Sequence, residues 1–231
     1  MNLITICLLL ISVLIGGIIV EVFKPEKGNN LQILLTSSGS YLFAVCFLHL
    51  LPEIFHGDFN NYIGLYILGG FLIQIILEYF SKGIEHGHLH KSKIIPFSVL
   101  VSLCAHAFIE GIPLGSHLNH NHAKDALLAG ILMHKVPVAI VLMTFFLQSE
   151  MKKIIAYLYL LLFALMSPLG VLAGDLFSTF TDIHNEITAI VIGIFIHIST
   201  TIIFESSDTH KFSFEKILAI IFGSSIAIFS I

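Results

Sequence analysis

The chain has 231 residues, of which 56% are hydrophobic and only 11% are charged, and its mean hydropathy is +0.96. Soluble domains carry about 25% charged residues, so this composition excludes an ordinary soluble enzyme or binding domain and predicts a chain embedded in lipid. The net charge of −4 says little about partners, because the lysines are gathered on one side of the predicted helices and so indicate membrane topology and not a nucleic-acid patch.

Apolar stretches of the length of a membrane span run through the whole sequence. A transmembrane helix needs about 20 apolar residues to cross about 30 Å of hydrocarbon. Eight such stretches predict an all-α integral membrane protein that forms a single domain over 1–231. In chain order, helices 1 to 8 are predicted at 2–23, 31–55, 61–80, 94–116, 126–147, 154–174, 187–204 and 213–231.

The first stretch is too long for the core of a signal peptide and ends without a small-residue cleavage site, so we expect it to remain as a helix. Three cysteines lie in separate predicted helices without a CxxC spacing, which favours packing residues over a disulfide framework. They are Cys7, Cys46 and Cys104.

The lysines orient the predicted helices in the membrane. All eleven basic residues are lysines, and nine of them follow helices 1, 3, 5 or 7, namely Lys24, Lys27, Lys82, Lys91, Lys93, Lys152, Lys153, Lys211 and Lys216. Positively charged loops stay in the cytoplasm, so both termini are expected on the non-cytoplasmic side. The short loops favour a multi-pass protein of the inner (plasma) membrane of a prokaryote.

Histidines are concentrated in two predicted loops. The cytoplasmic loop at about 81–93 carries His86, His88 and His90. The outer loop between helices 4 and 5 is expected to carry the three further histidines His117, His120 and His122. Alternating histidines can capture a metal ion weakly, and a solvated polar loop is an equally good interpretation.

Helices 2 and 7 resemble each other while crossing in opposite directions. Residues 47–53 read FLHLLPE and residues 195–205 read FIHISTTIIFE. Such a pair is typical of an inverted repeat, here of helices 1–3 and 6–8 around helices 4 and 5. Candidates for lining a transport pathway are His49, Glu53, His197 and Ser199, although hydrogen bonding between helices is the favoured role.

Ionisable residues cluster inside helices 4 and 5, where each costs at least about 2.5 to 3.5 kcal/mol to insert into the membrane. His106 and Glu110 are four residues apart and therefore share one face of helix 4, while helix 5 offers His134 and Lys135. Counting residues from the outer ends of the helices places His106, Glu110 and His134 near one depth. Two imidazoles and a carboxylate are a good ligand set for Zn²⁺ and neighbouring ions.

The same four residues also fit a structural alternative. Glu110 could be bridged to Lys135, with the histidines as hydrogen-bond partners that hold the helices together. Gly111 and Gly115 in helix 4 favour close helix packing over a hydrated lumen.

Proline follows a candidate ligand by three residues in both helices. Pro113 and Pro137 free the carbonyls of Ile109 and Met133, which could face an ion.

The motifs AHAFIEGIPLG in helix 4, MHKVP in helix 5 and FLHLLPE in helix 2 resemble those of the ZIP family of metal transporters. The resemblance covers nearly the whole chain. It implies a ZIP-like bundle that imports zinc, iron or manganese into the cytosol by alternating, elevator-like access. It implies His106, Glu110 and His134 as metal ligands, the metal as substrate, no organic cofactor and no enzymatic activity.

Two positions depart from the family pattern. Lys135 stands where an acidic residue is usual, and Val138 stands where a further carboxylate is common. We therefore expect a mononuclear site in which the Lys135 ammonium takes the place of a second cation. Alternatively, Lys135 pairs with a carboxylate away from the ion, such as Glu78.

Two rival functions fit the same cluster of ionisable residues. An intramembrane zinc-dependent hydrolase would use two histidines and a carboxylate to hold Zn²⁺ with an activated water. A metal sensor that transports nothing would use the cluster for binding alone. The partners expected for the transporter are divalent metal ions and the lipid bilayer, with a homodimer left open and no nucleic acid.

Overall fold

We describe the protein from a computed structural model, which describes residues 3–23, 29–55, 62–84, 97–115, 121–149, 151–180, 183–205 and 213–229. Within these ranges every regular element is helical, which confirms the all-α prediction. The eight helices are α1 Leu3–Phe23, α2 29–55, α3 Ile63–Ser81, α4 Phe97–Gly115, α5 Asn121–Gln148, α6 Lys153–Phe180, α7 His184–Glu205 and α8 Phe214–Phe229.

The eight helices match the eight predicted stretches in order. Seven of them are long and apolar enough to cross a membrane, and α8 has 16 residues in the described part of the chain. The largest differences in bounds are at α5, which begins at Asn121 rather than 126, and at α6, which ends at Phe180 rather than 174. Helical hydrogen bonding continues there into polar residues that a search for apolar stretches leaves out.

Helix α2 contains a π-helical turn that the sequence pattern did not predict. The helix is α-helical over Asn29–Val45 and Leu51–Phe55, and Cys46–Leu50 between them is π-helical. His49 lies in this turn, and the turn contacts α5 and α7. Single π-helical turns in α-helices are frequent at functional sites.

Glycine allows α4 and α6 to pack with their backbones in contact. A Cβ atom added to Gly111 would overlap the Ser167 carbonyl, and one added to Gly170 would overlap the Phe108 carbonyl. Gly115 and Gly174 meet carbonyls of the opposite helix in the same way. Close packing is therefore the role of Gly111 and Gly115, as the sequence favoured.

The packing partners follow the predicted inverted repeat. Helix α1 packs on α5 as α6 packs on α4, and α3 packs on α7 as α8 packs on α2. Exchanging helices 1 with 6, 2 with 7, 3 with 8 and 4 with 5 interchanges these contacts, as an inverted repeat requires. The helices form two groups, α1/α4/α5/α6 and α2/α3/α7/α8, which meet mainly where α2 contacts α5 and α4 contacts α3 and α7.

Gly174→Ala in α6 should destabilise the protein, because its Cβ would overlap the Ile112 carbonyl. Overpacking of this kind costs about 1–3 kcal/mol. Gly69→Ala in α3 is the matched control, since nothing lies within 4 Å of its Cβ position, and a Gly→Ala change without strain stabilises by about 0.4–1 kcal/mol. Both stability changes are measured as the temperature at which half of the monodisperse protein is lost on heating in detergent. Equal midpoints for the two variants would contradict the packing described.

Candidate metal site between helices α4, α5 and α6

The four ionisable residues of α4 and α5 lie together in the interior. His106, Glu110, His134 and Lys135 are each at most 4% exposed. Nε2 of His106 lies 3.4 Å from Oε2 of Glu110, and the rings of His106 and His134 are nearly perpendicular, with centroids 6.4 Å apart. The structure therefore brings together the three residues that the sequence placed at one depth.

Lys135 forms an ion pair with Oε1 of Glu110. Its ammonium also lies over the ring of Phe163 in α6, 4.8 Å from the centroid, at a distance typical of a cation–π contact. The bridge from Glu110 to Lys135, one of the two interpretations open from the sequence, is thus confirmed. The other partner considered for Lys135 was wrong, because Glu78 lies on α3, which packs on α4 and α7.

Ser167 of α6 is the residue of this cluster that sequence reasoning missed. It is fully buried, and its hydroxyl lies 3.0 Å from Oε1 of Glu110 and 2.6 Å from the carbonyl oxygen of Ala107. A serine in an apolar helix usually bonds its own backbone and attracts no notice. The available signal was its place immediately before Pro168 in the SPLG segment.

The histidines and Glu110 do not form a closed ligand shell. Among the residues that the structure describes, no group of three or more His, Cys, Asp or Glu side chains could hold a metal ion. Two imidazoles on one tetrahedral Zn²⁺ have ring centres roughly 5 Å apart, given Zn–N bonds of about 2.0–2.1 Å. Since the rings of His106 and His134 are 6.4 Å apart, one ion could contact both only after side-chain movement on the order of 1 Å.

Two buried polar atoms in the cluster are open to a ligand. Oε2 of Glu110 and Nδ1 of His106 make no hydrogen bond within the described part of the chain. Buried polar atoms without partners are rare and call for an explanation, such as an ion or a catalytic role. Oε2 also lies beside Nε2 of His106, so one cation could contact a carboxylate oxygen and an imidazole nitrogen together.

The charges of the cluster cancel before any metal is added. Glu110 contributes one negative charge and Lys135 one positive charge, and histidines must be neutral to bind metal. A buried pair with good geometry offsets much of the cost of placing each charge in the membrane interior. A cation that bound here would therefore compete with Lys135 for the carboxylate.

Proline interrupts the backbone hydrogen bonding of all three helices around the cluster. Pro113, Pro137 and Pro168 lie inside α4, α5 and α6. Each lacks the N–H that would bond the carbonyl four residues earlier. The sequence identified the first two of these prolines.

Apart from Lys135, the secondary candidates lie in the α2/α3/α7/α8 group, and two of them contact a neighbouring helix. Nε2 of His49 lies 3.2 Å from the carbonyl oxygen of Ala227 in α8. Nδ1 of His197 lies 3.3 Å from Oε2 of Glu78 in α3, and its ring packs edge-on against Phe71. Both contacts support the interhelical role that the sequence favoured for these histidines.

The remaining candidates have varied surroundings. Glu53 is buried in the last turn of α2. The hydroxyl of Ser199 is buried and finds no hydrogen-bond partner among the described residues. His122, expected in a loop, lies instead in the first turn of α5 and is exposed. Outside the described residues lie His86, His88, His90, His117 and His120.

A family model described as the ZIP zinc transporter matches residues 81–230, which include α4 to α8 and every residue of the buried cluster. The chain belongs to the ZIP family. ZIP proteins transport divalent metal ions and are not enzymes, so this chain is a multi-pass membrane protein of metal transport. The hydrolase and sensor interpretations are therefore wrong. No curated protein matches the chain.

In this ZIP protein, Lys135→Met should cost about 3–5 kcal/mol, because it leaves the Glu110 carboxylate buried without its charge partner. The double variant Lys135→Met/Glu110→Gln removes both charges and should recover most of the stability. Lys153→Met is the control, since the ion pair of Lys153 with Glu21 is exposed and should contribute nothing measurable. Thermal unfolding in detergent measures all three, and a double variant no more stable than Lys135→Met would contradict the ion pair.

Proposed function

We propose that this protein imports a divalent metal cation into the cytosol through a site formed by His106, Glu110 and His134. Zinc is the first candidate, and iron and manganese are the alternatives. The observation that carries the proposal is the buried contact of Glu110 with His106 beside His134, in which Oε2 of Glu110 makes no hydrogen bond within the described residues. Nitrogen and carboxylate ligands of this kind suit Zn²⁺ and neighbouring first-row ions.

The site is proposed to hold one metal ion at a time. Lys135 contacts Oε1 of Glu110, the side of the carboxylate on which a second, bridging cation would otherwise bind. A tethered ammonium supplies that positive charge permanently. It also weakens the attraction of the carboxylate for the transported ion, which favours release over tight retention.

Transport is proposed to proceed by alternating, elevator-like access. All the side chains of the site belong to α4, α5 and α6, so one helix group carries the complete site. The facing group of α2, α3, α7 and α8 contributes none of them. A rigid movement of the first group against the second would carry the ion with its ligands. No ligand would then have to leave the site during the movement.

The membrane orientation is proposed from the lysines. Nine of the eleven lysines lie in the loops after helices 1, 3, 5 and 7 or in the first turn of the following helix, and these loops are therefore assigned to the cytoplasm. Both termini then lie on the non-cytoplasmic side of the inner (plasma) membrane, and the chain forms one transporter domain over 1–231.

His106→Ala, Glu110→Ala and His134→Ala should each lower the uptake of radiolabelled zinc into proteoliposomes. We expect kcat/KM to fall by about 10- to 100-fold or more, because loss of even a supporting group of a metal site has effects of this size. His122→Ala, on the same helix as His134 but exposed at its first turn, is the control and should transport like wild type.

Manganese and iron are tested in the same vesicles after equal incorporation of folded protein is confirmed. Wild-type vesicles that take up none of the three metals under an imposed metal gradient would contradict the proposed function. Uptake that survives each of the three substitutions would instead show that the protein transports metal without these residues as ligands.

At saturating zinc, the purified wild-type protein should bind one zinc ion more than the double variant His106→Ala/His134→Ala. Lys135 prevents a second ion from sharing Glu110, because two like charges would meet at one carboxylate. Metal analysis after gel filtration gives the stoichiometry by difference, so that ions bound elsewhere on the chain cancel. A difference of two ions would contradict the mononuclear site.

A further inference from the structure

Ser167 bonds in a way that distinguishes it from other buried serines of this protein. Ser12, Ser40 and Ser102 each donate to a carbonyl three or four residues earlier in their own helix. Ser167 instead reaches from α6 to α4, where its single proton is shared between the Ala107 carbonyl oxygen at 2.6 Å and Oε1 of Glu110 at 3.0 Å. Its hydroxyl is therefore committed to the neighbouring helix and to the charged group at the centre of the site.

The two oxygens of Glu110 have different surroundings. Oε1 is contacted by the Lys135 ammonium and by the hydroxyl of Ser167. Oε2 lies 3.4 Å from Nε2 of His106 and makes no hydrogen bond among the described residues. The last torsion of a glutamate side chain has broad minima, so its neighbours decide which oxygen points where.

Lys135 alone does not determine that orientation. An ammonium is a compact charge with three donors on a flexible stem, and it can attract either oxygen or both. The single proton of the Ser167 hydroxyl is directed toward α4 by the Ala107 carbonyl, and Oε1 of Glu110 shares it as an ionised acceptor. Ser167 is also held in place, because its own carbonyl packs against Gly111.

We propose that Ser167 is a positioning residue for metal transport: its hydroxyl holds Oε1 of Glu110 on the Lys135 side and so presents Oε2 to the cation beside His106. This inference rests on the proposed function, since it assigns the orientation of one of the proposed ligands. Without the hydroxyl, the carboxylate can turn and give both oxygens to Lys135. Lys135 then competes more strongly with the transported ion, and the affinity for the ion falls.

The test compares Ser167→Ala, Ser167→Thr and Ser102→Ala. Alanine removes the hydroxyl and keeps the backbone contact with Gly111, and threonine restores a hydroxyl. Ser102 is a matched control, because it is buried in α4 and, among the residues that the structure describes, bonds the carbonyl of Val99 alone, 3.1 Å away. Initial rates of radiolabelled zinc uptake into proteoliposomes are measured over a range of zinc concentrations, together with zinc binding to the detergent-solubilised proteins.

We expect Ser167→Ala to raise KM for zinc and the dissociation constant by roughly tenfold, the size expected for one hydrogen bond to a charged group. Its maximal rate should stay near that of wild type, because release of the ion is not impeded. Ser167→Thr should restore the wild-type KM, and Ser102→Ala should leave it unchanged. If Ser167→Thr does not fold, the binding measurement on Ser167→Ala decides alone.

Two results would overturn the inference while leaving the proposed function standing. One is a wild-type KM and dissociation constant for Ser167→Ala in vesicles where His106→Ala abolishes uptake. The other is a loss of maximal rate and thermal stability in Ser167→Ala with KM unchanged, which would make Ser167 a packing residue. Absence of uptake by the wild type would instead be a failure of the proposed function itself.

Discussion

The ion pair between Glu110 and Lys135 is the interaction on which the centre of this protein depends. Each charge is almost completely buried, and either one alone would be costly in free energy in the interior of a membrane. Together they join α4 to α5 and leave one carboxylate oxygen, Oε2, beside His106. If it binds metal as proposed, this site is electrically neutral before the metal arrives, so binding would not rest on a surplus of negative charge.

The two helix groups divide the polar residues of the membrane interior between them. The α1/α4/α5/α6 group holds the buried cluster around Glu110, and the other group holds separate pairs such as His197 with Glu78. The second set joins α3 to α7 as the first joins α4 to α5. Polar contacts therefore strengthen each group internally. Between the groups run two longer hydrogen bonds, from Tyr41 to the Ala126 carbonyl at 3.4 Å and from Ser98 to the Phe80 carbonyl at 3.5 Å.

Much of the architecture was predictable because apolar length and helical spacing are local properties. Eight apolar stretches gave eight helices, and the spacing of His106 and Glu110 placed both side chains on one face of α4. The partner of Lys135 was not predictable, since two carboxylates on different helices were compatible with its position. Choosing Glu110 over Glu78 required knowing that α3 packs on α7 and α4.

Other features escaped sequence reasoning for different physical reasons. Ser167 is a common residue in membrane helices, and its importance comes from a carboxylate on another helix. The π-helical turn at Cys46–Leu50 leaves no mark in an apolar pattern, because one extra residue per turn changes which face a side chain takes without changing hydropathy. Long-range packing decides both features.

The glycine contacts between α4 and α6 limit where an ion can travel. Main chain meets main chain at Gly111, Gly115, Gly170 and Gly174, so no hydrated ion can pass between these two helices. Helices α4 and α5 touch much more sparingly, and the histidine ring of each lies on that side. The buried cluster therefore has one flank closed by main chain, between α4 and α6, and one flank with few helix contacts, between α4 and α5. A metal route through the proposed site would be asymmetric for this reason.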